Sequence, residues 1–305
     1  MKELLERLAE ECFPYTNQGE VANYIPELAK ANPDALGIYI ISEDGKHHFA
    51  GESMHSFTIQ SIVKPILLLL ALSDNGIDSV GERVGVEATG KPFDAINVSD
   101  LRLDSHHLNP MVNMGAIVMC TLIKGSTYQE KFERILELTR ELAGNPEIGI
   151  EEAVYHSEKS CGSKNRALAY LLKSYGMLND DVEDVLDCYF KACSIAVTCK
   201  DLANIGFGLA NRGCKPMTNE RIVPSEYARY VNAILMTCGM YDGSGEFALR
   251  VGVPAKSGVG GGIMAVVPGK MGIGIYSPAL DKKGNSVAGI QLLERVSREL
   301  QLSIF

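Results

Sequence analysis

The feature that most constrains the fold is the stretch TIQSIVKPILLLLAL at residues 58–72, which is almost entirely apolar in its second half. Proline lacks an amide N–H and is tolerated in a helix only within the first turn, so Pro65 predicts a helix that begins near Ser61. The apolar residues behind it predict that this helix is buried. Side chains three apart are neighbours on a helix, so Ser61 and Lys64 share one face of its first turn.

A serine and a lysine in this arrangement predict a nucleophile with its proton acceptor. The positive end of the helix dipole and the apolar surroundings both disfavour an ammonium, so we expect Lys64 as the neutral amine. A neutral amine can take the proton of Ser61, which is the chemistry of an S-x-x-K nucleophile. Two ordinary roles fit this stretch equally well, with Ser61 as a helix N-cap and Lys64 as a surface residue. Because S-x-x-K arises about once by chance in a chain of this length, the motif needs support from other residues.

Length, composition and charge limit the class of protein. The 305 residues, with 46% hydrophobic and 22% charged side chains, predict a soluble globular protein of one large domain or two lobes with an ample core. A net charge of −9 argues against nucleic acid or an anionic membrane as a partner. No apolar run reaches the roughly 18 residues of a membrane-spanning helix, and the acidic N-terminal sequence MKELLERLAEEC does not resemble a signal peptide. The eight cysteines form no C-x-x-C pair, so we expect reduced thiols and a cytoplasmic location.

The histidines do not predict a metal site. They include the adjacent pairs His47–His48 and His106–His107, whose members point in different directions, and no H-E-x-x-H spacing occurs. We expect a structural or exposed role for all six histidines, no metal and no cofactor.

Strand patterns lie near both ends of the chain, with helical patterns between them. The segments LGIYIIS and HHFAG predict a β-hairpin, and VPAKSGVGGGIMAVVPGKMGIGIYS predicts three strands separated by glycine-rich turns. Helices are predicted for the N-terminus, for GEVANYIPELAKA, from Ser61 to a C-cap at Asn75-Gly76, over most of residues 75–235, and for SVAGIQLLERVSRELQ. These elements predict an α/β fold, with one antiparallel sheet built from both ends of the chain and flanked by helices. An all-helical lobe at about 66–235 would be inserted into an α/β lobe at about 1–65 and 236–305, and a site is expected between the lobes.

Three of the central helices have candidate N-terminal caps. Thr127 and Glu130 have the spacing of a capping box before YQEKFERILELTRELAG, and Ser163 is a candidate cap for KNRALAYLLKSYG. Thr198 with Asp201 predicts the start of CKDLANIGFGLANRG.

A second motif, Lys256-Ser257-Gly258, lies on a predicted late strand. In S-x-x-K acyl enzymes a K-[ST]-G strand lines the cleft beside the nucleophile. The backbone N–H of the next residue, Val259, can then serve as an oxyanion donor together with the N–H of Ser61. The alternative is an ordinary hairpin edge with a tight glycine turn. A phosphate cradle is disfavoured, because no helix is predicted to open after the glycines.

One apparent match is rejected. Ser73-Asp74-Asn75 spells the S-D-N signature of class A β-lactamases. It lies on the same predicted helix as Ser61, twelve residues further on, which corresponds to roughly 18 Å along the axis. We therefore interpret it as a helix terminus.

The remaining polar residues carry a resemblance to a known family. The segments GEVANYIPELA, NPMVNMGAI, SEKSCGSKNRALAYLL, YFKACSIAVTCKDLA and CGMYDGSGEFALRVGVPAKSGVGGGIMAVVPGKMGI closely resemble the serine-dependent glutaminases, in collinear blocks over residues 19–295. The resemblance implies a fold like that of β-lactamases and DD-peptidases, and hydrolysis of L-glutamine to L-glutamate and ammonia. It also implies a homo-oligomer, a tetramer or a dimer.

The same resemblance suggests roles for individual residues. Ser61 is expected as the nucleophile, Lys64 as its proton partner, and Val259 as an oxyanion-hole amide. Tyr189 and Tyr241 are candidate members of the proton relay and are not ranked against Lys64. The positions that match the family's substrate pocket are Tyr24, Ser61, Asn113, Glu158, Asn165, Tyr189, Tyr241 and Val259.

These residue types suit glutamine as a substrate. Glu158 can bind the α-ammonium through a charge-assisted hydrogen bond, and amides and hydroxyls can donate to the α-carboxylate without adding a charge. Two other classes stay open. A penicillin-interactive peptidase or β-lactamase would share Ser61, Lys64 and Lys256 but would normally be exported. A non-catalytic scaffold of the same fold would be expected to lack members of the serine, lysine and tyrosine set, and none is missing.

Overall fold

A five-stranded antiparallel sheet organises the fold. The computed structural model describes residues 1–90, 108–215, 218 and 220–305. Within them the strands of the sheet are β2 (Gly37–Ser42), β3 (His47–Gly51), β6 (Ala255–Ser257), β7 (Gly262–Val267) and β8 (Met271–Tyr276). Their order in the sheet is β3-β2-β8-β7-β6, so the predicted hairpin pairs directly with a late strand. The predicted antiparallel sheet built from both ends of the chain is thus confirmed.

Both faces of this sheet are covered, which explains why its central strands are apolar at nearly every position. Along β2, Ile38 and Ile40 belong to one hydrophobic cluster and Tyr39 and Ile41 to another, as the two-residue alternation of a strand requires. The first cluster is completed by the N-terminal and C-terminal helices, α1 (Lys2–Cys12) and α11 (Val287–Leu300). Both terminal helices were predicted from the sequence.

The opposite face of the sheet is covered by α8 (Cys199–Ala210) at very short range. A Cβ at Gly274 would lie 2.0 Å from the carbonyl oxygen of Cys199, and one at Gly272 would lie 2.0 Å from that of Ala203. Only glycine permits this approach. The helix begins with the predicted capping box, in which the Thr198 side chain accepts from the Asp201 amide and the Asp201 carboxylate accepts from the Thr198 amide.

The other helices stand around the apolar helix that follows Ser61. That helix, α2, is buried from its first residue to Leu72, as the sequence predicted. The remaining bounds are α2 (Lys64–Gly81), α3 (Asn113–Leu122), α4 (Tyr128–Ala143), α5 (Glu152–Cys161), α6 (Ser163–Ser174), α7 (Val182–Cys193), α9 (Ser225–Cys238) and α10 (Ser244–Arg250).

Two expectations about helices are corrected by the structure, and a third is confirmed. The segment GEVANYIPELAKA forms no α-helix, because Glu20–Val21 (β1) pairs with Ala279–Leu280 (β9) and the chain then reaches only a short 3₁₀ turn at Leu28–Lys30. The helix after Ser61 breaks at the predicted position, where Gly76 adopts φ 80° and ψ 167°, and helical turns then resume to Gly81. Ser163 is not a cap, because it is already the first residue of α6.

A pair of very short strands completes the fold near the site. Phe57–Thr58 (β4) pairs with Ala196–Val197 (β5), which ties the chain before Ser61 to the end of α7. Of the helices in the described residues, none is both long and apolar enough to cross a membrane. The division into lobes at residues 66–235 stays a prediction.

Candidate active site

Ser61 lies in a short 3₁₀ turn, Gln60–Val63, that leads directly into α2. The α-helix proper therefore begins at Lys64, three residues later than the sequence suggested, with Pro65 in its first turn. Ser61 is buried and caps no helix, which excludes the capping role. The residue before it, Gln60, has φ 49°, a conformation that non-glycine residues rarely adopt and that is often found at functional sites.

The glycine turn after β6 packs against the Ser61 turn. A Cβ at Gly258 would lie 2.8 Å from the carbonyl oxygen of Ile59, and one at Gly260 would lie 2.8 Å from that of Thr58. These glycines therefore do more than close a hairpin, because they let the backbone around Val259 approach the serine turn. The turn that contains Val259 and the turn that contains Ser61 are therefore in close contact.

Lys64 is fully buried, which excludes the surface role considered for it. Its Nζ donates to the Met111 carbonyl oxygen at 3.2 Å and to Asn113 Oδ1 at 2.8 Å. Asn113 is the first residue of α3, so the amine bridges the starts of two helices. Lys64 is thus held in place below the serine turn.

Asn113 connects Lys64 to two other predicted site residues. Its Nδ2 donates to Asn165 Oδ1 at 2.9 Å, and its Oδ1 accepts from the Tyr189 hydroxyl at 3.3 Å. Burial raises the pKa of Tyr189 well above its usual range, so this phenol stays protonated in the free protein. Four side chains from four different helices are joined in one hydrogen-bonded group.

A small cavity opens on this group. Its volume is about 80 Å³, and it includes seven of the predicted site residues, namely Tyr24, Ser61, Asn113, Glu158, Asn165, Tyr189 and Val259. A cavity of this size suits a small metabolite better than a large ligand, because drug-sized ligands occupy pockets of roughly 300–1,000 Å³. Tyr24 is 54% exposed and stands at the mouth of the cavity, whereas Glu158 lies inside it.

Glu158 is the most unusual ionisable group in the cavity. It lies on α5 and is only 6% exposed, and burial raises its pKa to about 8, against the opposing effects of a hydrogen bond from Gln60 and the positive charge of protonated Lys64. Its Oε2 has no hydrogen-bond partner anywhere in the part of the chain that the structure describes. A buried carboxylate oxygen without a partner is energetically costly, so this oxygen is suited to a cationic ligand.

Tyr241 and Lys256 lie beside the cavity instead of lining it. Tyr241 packs in one hydrophobic cluster with Ile25 and Val259, and it lines a neighbouring cavity of about 130 Å³. The Nζ of Lys256 lies 4.4 Å from the centre of the Tyr241 ring. Burial, and repulsion from Lys64 when that side chain is protonated, lower the pKa of Lys256 well below its usual range.

Comparison with known proteins decides the family. The family model described as glutaminase matches residues 19–305. A glutaminase of Clostridium tetani is 55% identical over 305 residues, which cover the whole of both chains. The chain belongs to the glutaminase family. Glutaminases are amidohydrolases, so the chain is an enzyme of that class.

Solved glutaminase structures share the fold described above. The covalent complex of a Bacillus subtilis glutaminase with 5-oxo-L-norleucine, formed by reaction with 6-diazo-5-oxo-L-norleucine, superimposes with a TM-score of 0.91 at 40% identity, covering 100% of this chain and 99% of the other. A protein named Mglu in its glutamate form gives 0.94 at 39% identity, covering 99% of this chain and 69% of the other. The expected β-lactamase-like fold of this glutaminase is therefore confirmed.

Sequence reasoning missed several residues of the glutaminase cavity. Gln60, Lys164 and Cys193 line it beside the predicted ones. Cys193 follows Tyr189 by four residues on α7, so helical spacing alone would have placed both on one face. Nothing in the sequence marked Gln60 apart from its position next to Ser61.

The sequence argued against a metal site at the histidines and against a functional role for the triplet Ser73-Asp74-Asn75. Among the described residues, no three histidine, cysteine or acidic side chains cluster closely enough to hold a metal ion, and His106–His107 lie outside those residues.

The triplet Ser73-Asp74-Asn75 has a structural role in linking two helices. Its Asp74 accepts from the Arg134 guanidinium and from the Lys124 amide, which joins α2 to the start of α4.

Proposed function

We propose that this glutaminase hydrolyses L-glutamine to L-glutamate and ammonia through a glutamyl ester on Ser61. The observation that carries the proposal is the buried Glu158 carboxyl group, whose Oε2 has no partner in the described residues and which lines the same small cavity as Ser61. An α-amino acid with a side-chain amide supplies both a cation for Glu158 and a carbonyl for Ser61.

Substrate binding would use charge at one end of the amino acid head group and neutral donors at the other. The α-ammonium of glutamine would bind Glu158 through a charge-assisted hydrogen bond. The α-carboxylate would accept from amide and hydroxyl donors, for which Asn165, Tyr189 and Tyr24 are the candidates that line the cavity. The side chain of glutamine would then extend toward the serine turn.

The first chemical step would form an ester. Ser61 Oγ attacks the side-chain carbonyl carbon while its proton passes to the neutral amine of Lys64. Negative charge that develops on the carbonyl oxygen is stabilised by the N–H groups of Ser61 and Val259. The C–N bond then breaks, and the proton taken from the serine is delivered to the departing nitrogen, which leaves as ammonia.

The second step would release glutamate. Water attacks the ester carbon, gives a proton to the same base, and displaces the serine oxygen, which is reprotonated. The two acceptors of Lys64, at Met111 and Asn113, orient its amine, which supports Lys64 as the base. Tyr189 and Tyr241 remain candidates for relaying the proton to or from it.

The test is ammonia release by the purified protein. L-Glutamine should be hydrolysed. L-Asparagine is one methylene shorter and should not be, because its carbonyl would stop short of Ser61 once its head group is anchored. N-acetyl-L-glutamine should also fail, because it lacks the ammonium that Glu158 binds. Equal rates with the acetylated and free amino acids would contradict the assignment of Glu158.

A covalent probe tests the nucleophile separately. After incubation with 6-diazo-5-oxo-L-norleucine, the intact mass should rise by one 5-oxo-norleucine adduct in the wild type and stay unchanged in Ser61→Ala. A chromogenic β-lactam lacks the free α-amino acid head group and should neither turn over nor label the protein. Rapid β-lactam acylation without ammonia release from glutamine would instead favour a penicillin-interactive enzyme.

We further propose that residues 1–305 act as one catalytic domain of two lobes in a cytoplasmic homo-oligomer, either a tetramer or a dimer. All eight cysteines are free thiols, which supports a reducing compartment. The mass of the native protein in solution, measured by light scattering, tests the oligomeric state, and a monomeric mass would contradict it.

A further inference from the structure

Tyr241 occupies an unusual backbone conformation. It lies in the 3₁₀ turn Tyr241–Gly243 between α9 and α10, and its φ is 54°. Side chains with a Cβ rarely adopt this left-handed conformation, and it persists only where the surrounding structure enforces it. Contacts with neighbouring residues must therefore hold Tyr241 in this conformation.

Two buried side chains hold the peptide groups on either side of Tyr241. The Ser244 hydroxyl accepts from the Met240 amide at 3.0 Å and donates to the Tyr241 carbonyl oxygen at 2.9 Å. Asn285 Nδ2 donates to the Met240 carbonyl oxygen at 3.3 Å from the loop before α11. Since φ and ψ of Tyr241 are set by these two peptide groups, the pair of side chains restrains both angles.

The ring of Tyr241 is also confined. Lys256 Nζ lies over its face and donates to the carbonyl oxygen of Gly239, two residues earlier. On another side the ring packs in the cluster that contains Val259. The backbone and the ring of Tyr241 are therefore both restrained by neighbouring groups.

We propose that Ser244 and Asn285 are positioning residues that set the Tyr241 hydroxyl for proton transfer with Ser61 and Lys64. The inference rests on the proposed function, in which Tyr241 is one of two candidates for the proton relay. Neither Ser244 nor Asn285 lines the cavity of Glu158, so both act through Tyr241 and not through substrate. Loss of either should reduce the rate of chemistry more than the binding of glutamine.

The first experiment compares Ser244→Ala with Ser244→Thr in the full chain, measuring ammonia release from L-glutamine. In Ser244→Ala we expect kcat to fall about 10- to 100-fold with KM within about twofold, because small displacements of a reacting group cost rates of this order. Ser244→Thr keeps the hydroxyl and should recover most of kcat, since Ser244 borders the 130 Å³ cavity, which has space for a methyl group.

Ser297, on α11, provides a matched control. Ser297 is also buried, and its hydroxyl donates to the Val251 carbonyl oxygen at 2.6 Å, far along α11 from the turn. Ser297→Ala removes a comparable hydrogen bond and should lower the melting temperature without changing kcat. If it lowers kcat as much as Ser244→Ala, the effect reflects general destabilisation and the inference is overturned.

A double-mutant cycle tests whether Ser244 acts through the phenol. In a Tyr241→Phe background, Ser244→Ala should reduce kcat by less than about twofold further, because the group it positions is already gone. If Ser244→Ala does not fold, Asn285→Asp, which loses the donor to Met240 at nearly constant shape, replaces it with the same expectation.

Three further outcomes would overturn the inference. One is a full multiplicative loss in the Tyr241→Phe background, and another is a wild-type kcat in Ser244→Ala and Asn285→Asp. Wild-type kcat in Tyr241→Phe itself would also overturn it, while leaving hydrolysis by Ser61 and Lys64 intact. Absence of ammonia release in the wild type would instead refute the proposed function.

Discussion

The protonation of Glu158 predicts how the enzyme depends on pH. Burial raises the pKa of this carboxyl to about 8 in the empty cavity. Binding of an α-ammonium requires the carboxylate, so the free enzyme must lose a proton before glutamine is held. The bound ammonium then stabilises the charged form of Glu158, because an opposite charge at short range lowers the pKa of a carboxyl.

The magnitude follows from the fraction of Glu158 that is ionised. With a pKa near 8, about one molecule in eleven carries the carboxylate at pH 7 and about half do at pH 8. The value of kcat/KM, which reports groups of the free enzyme, should rise about ninefold from pH 6 to 7, about fivefold from pH 7 to 8, and less than twofold from pH 8 to 9. The rate should therefore increase with pH and level off above the pKa.

Steady-state rates alone do not separate Glu158 from Lys64, since a lysine base also loses activity in acid. Calorimetry with the unreactive Ser61→Ala variant does. When glutamine binds at pH 7, about 0.9 proton per site should be released to the buffer, measured as the dependence of binding heat on buffer ionisation enthalpy. The variant Ser61→Ala with Glu158→Gln is the matched control and should release none.

Two results would refute this reasoning. A binding event that releases no proton at pH 7 would mean that Glu158 is already ionised in the free enzyme. Equal proton release with and without Glu158 would mean that another group titrates on binding. In either case the burial of Glu158 would not control substrate affinity.

Four further predictions concern single residues. Ser61→Ala should keep its fold by circular dichroism and lose ammonia release by several orders of magnitude, and a variant with a tenth of wild-type turnover would contradict the nucleophile. Lys64→Arg should be as inactive as Lys64→Met in the same assay, because a guanidinium stays protonated and cannot act as a base. Glu158→Gln should melt at a higher temperature than wild type at pH 9 but not at pH 4. A carboxyl with a raised folded pKa is stabilising below its unfolded value of 4.5, and this contribution is lost as pH rises through about 8. Gly258→Ala would place a Cβ 2.8 Å from the Ile59 carbonyl oxygen, so kcat should fall at least about tenfold while the fold is retained; unchanged kcat would argue against an oxyanion role for this turn.

Much of the local structure could be predicted because its causes are local. The box of Thr198 and Asp201 starts its helix, the cap at Thr127 accepts from the Glu130 amide, and the glycine-rich turns separate three strands as expected. The expectation failed at GEVANYIPELAKA, where the partner that creates β1 is Leu280, far along the chain. No local sequence pattern predicts a pairing between segments so far apart in the chain.

The candidate residues of the site were reached mainly through resemblance to a family. Most of them do line one cavity, but the resemblance did not place Tyr241 behind Val259, nor did it indicate that Gln60 contacts Glu158. These relations join segments that are distant in sequence. They depend on how α2, α5 and the glycine turn pack together.

By itself, the sequence determined the buried helix that follows Ser61, the hairpin, the late strands and the family. Only the tertiary structure decided the surroundings of the ionisable side chains Lys64 and Glu158. Lys64 is buried where the first residue of α3, Asn113, and the carbonyl of Met111 just before that helix accept from its amine, and Glu158 has a raised pKa because burial removes it from water. The ionisation of a side chain depends on solvent and on charges within a few ångströms, and the fold sets both by bringing distant segments together.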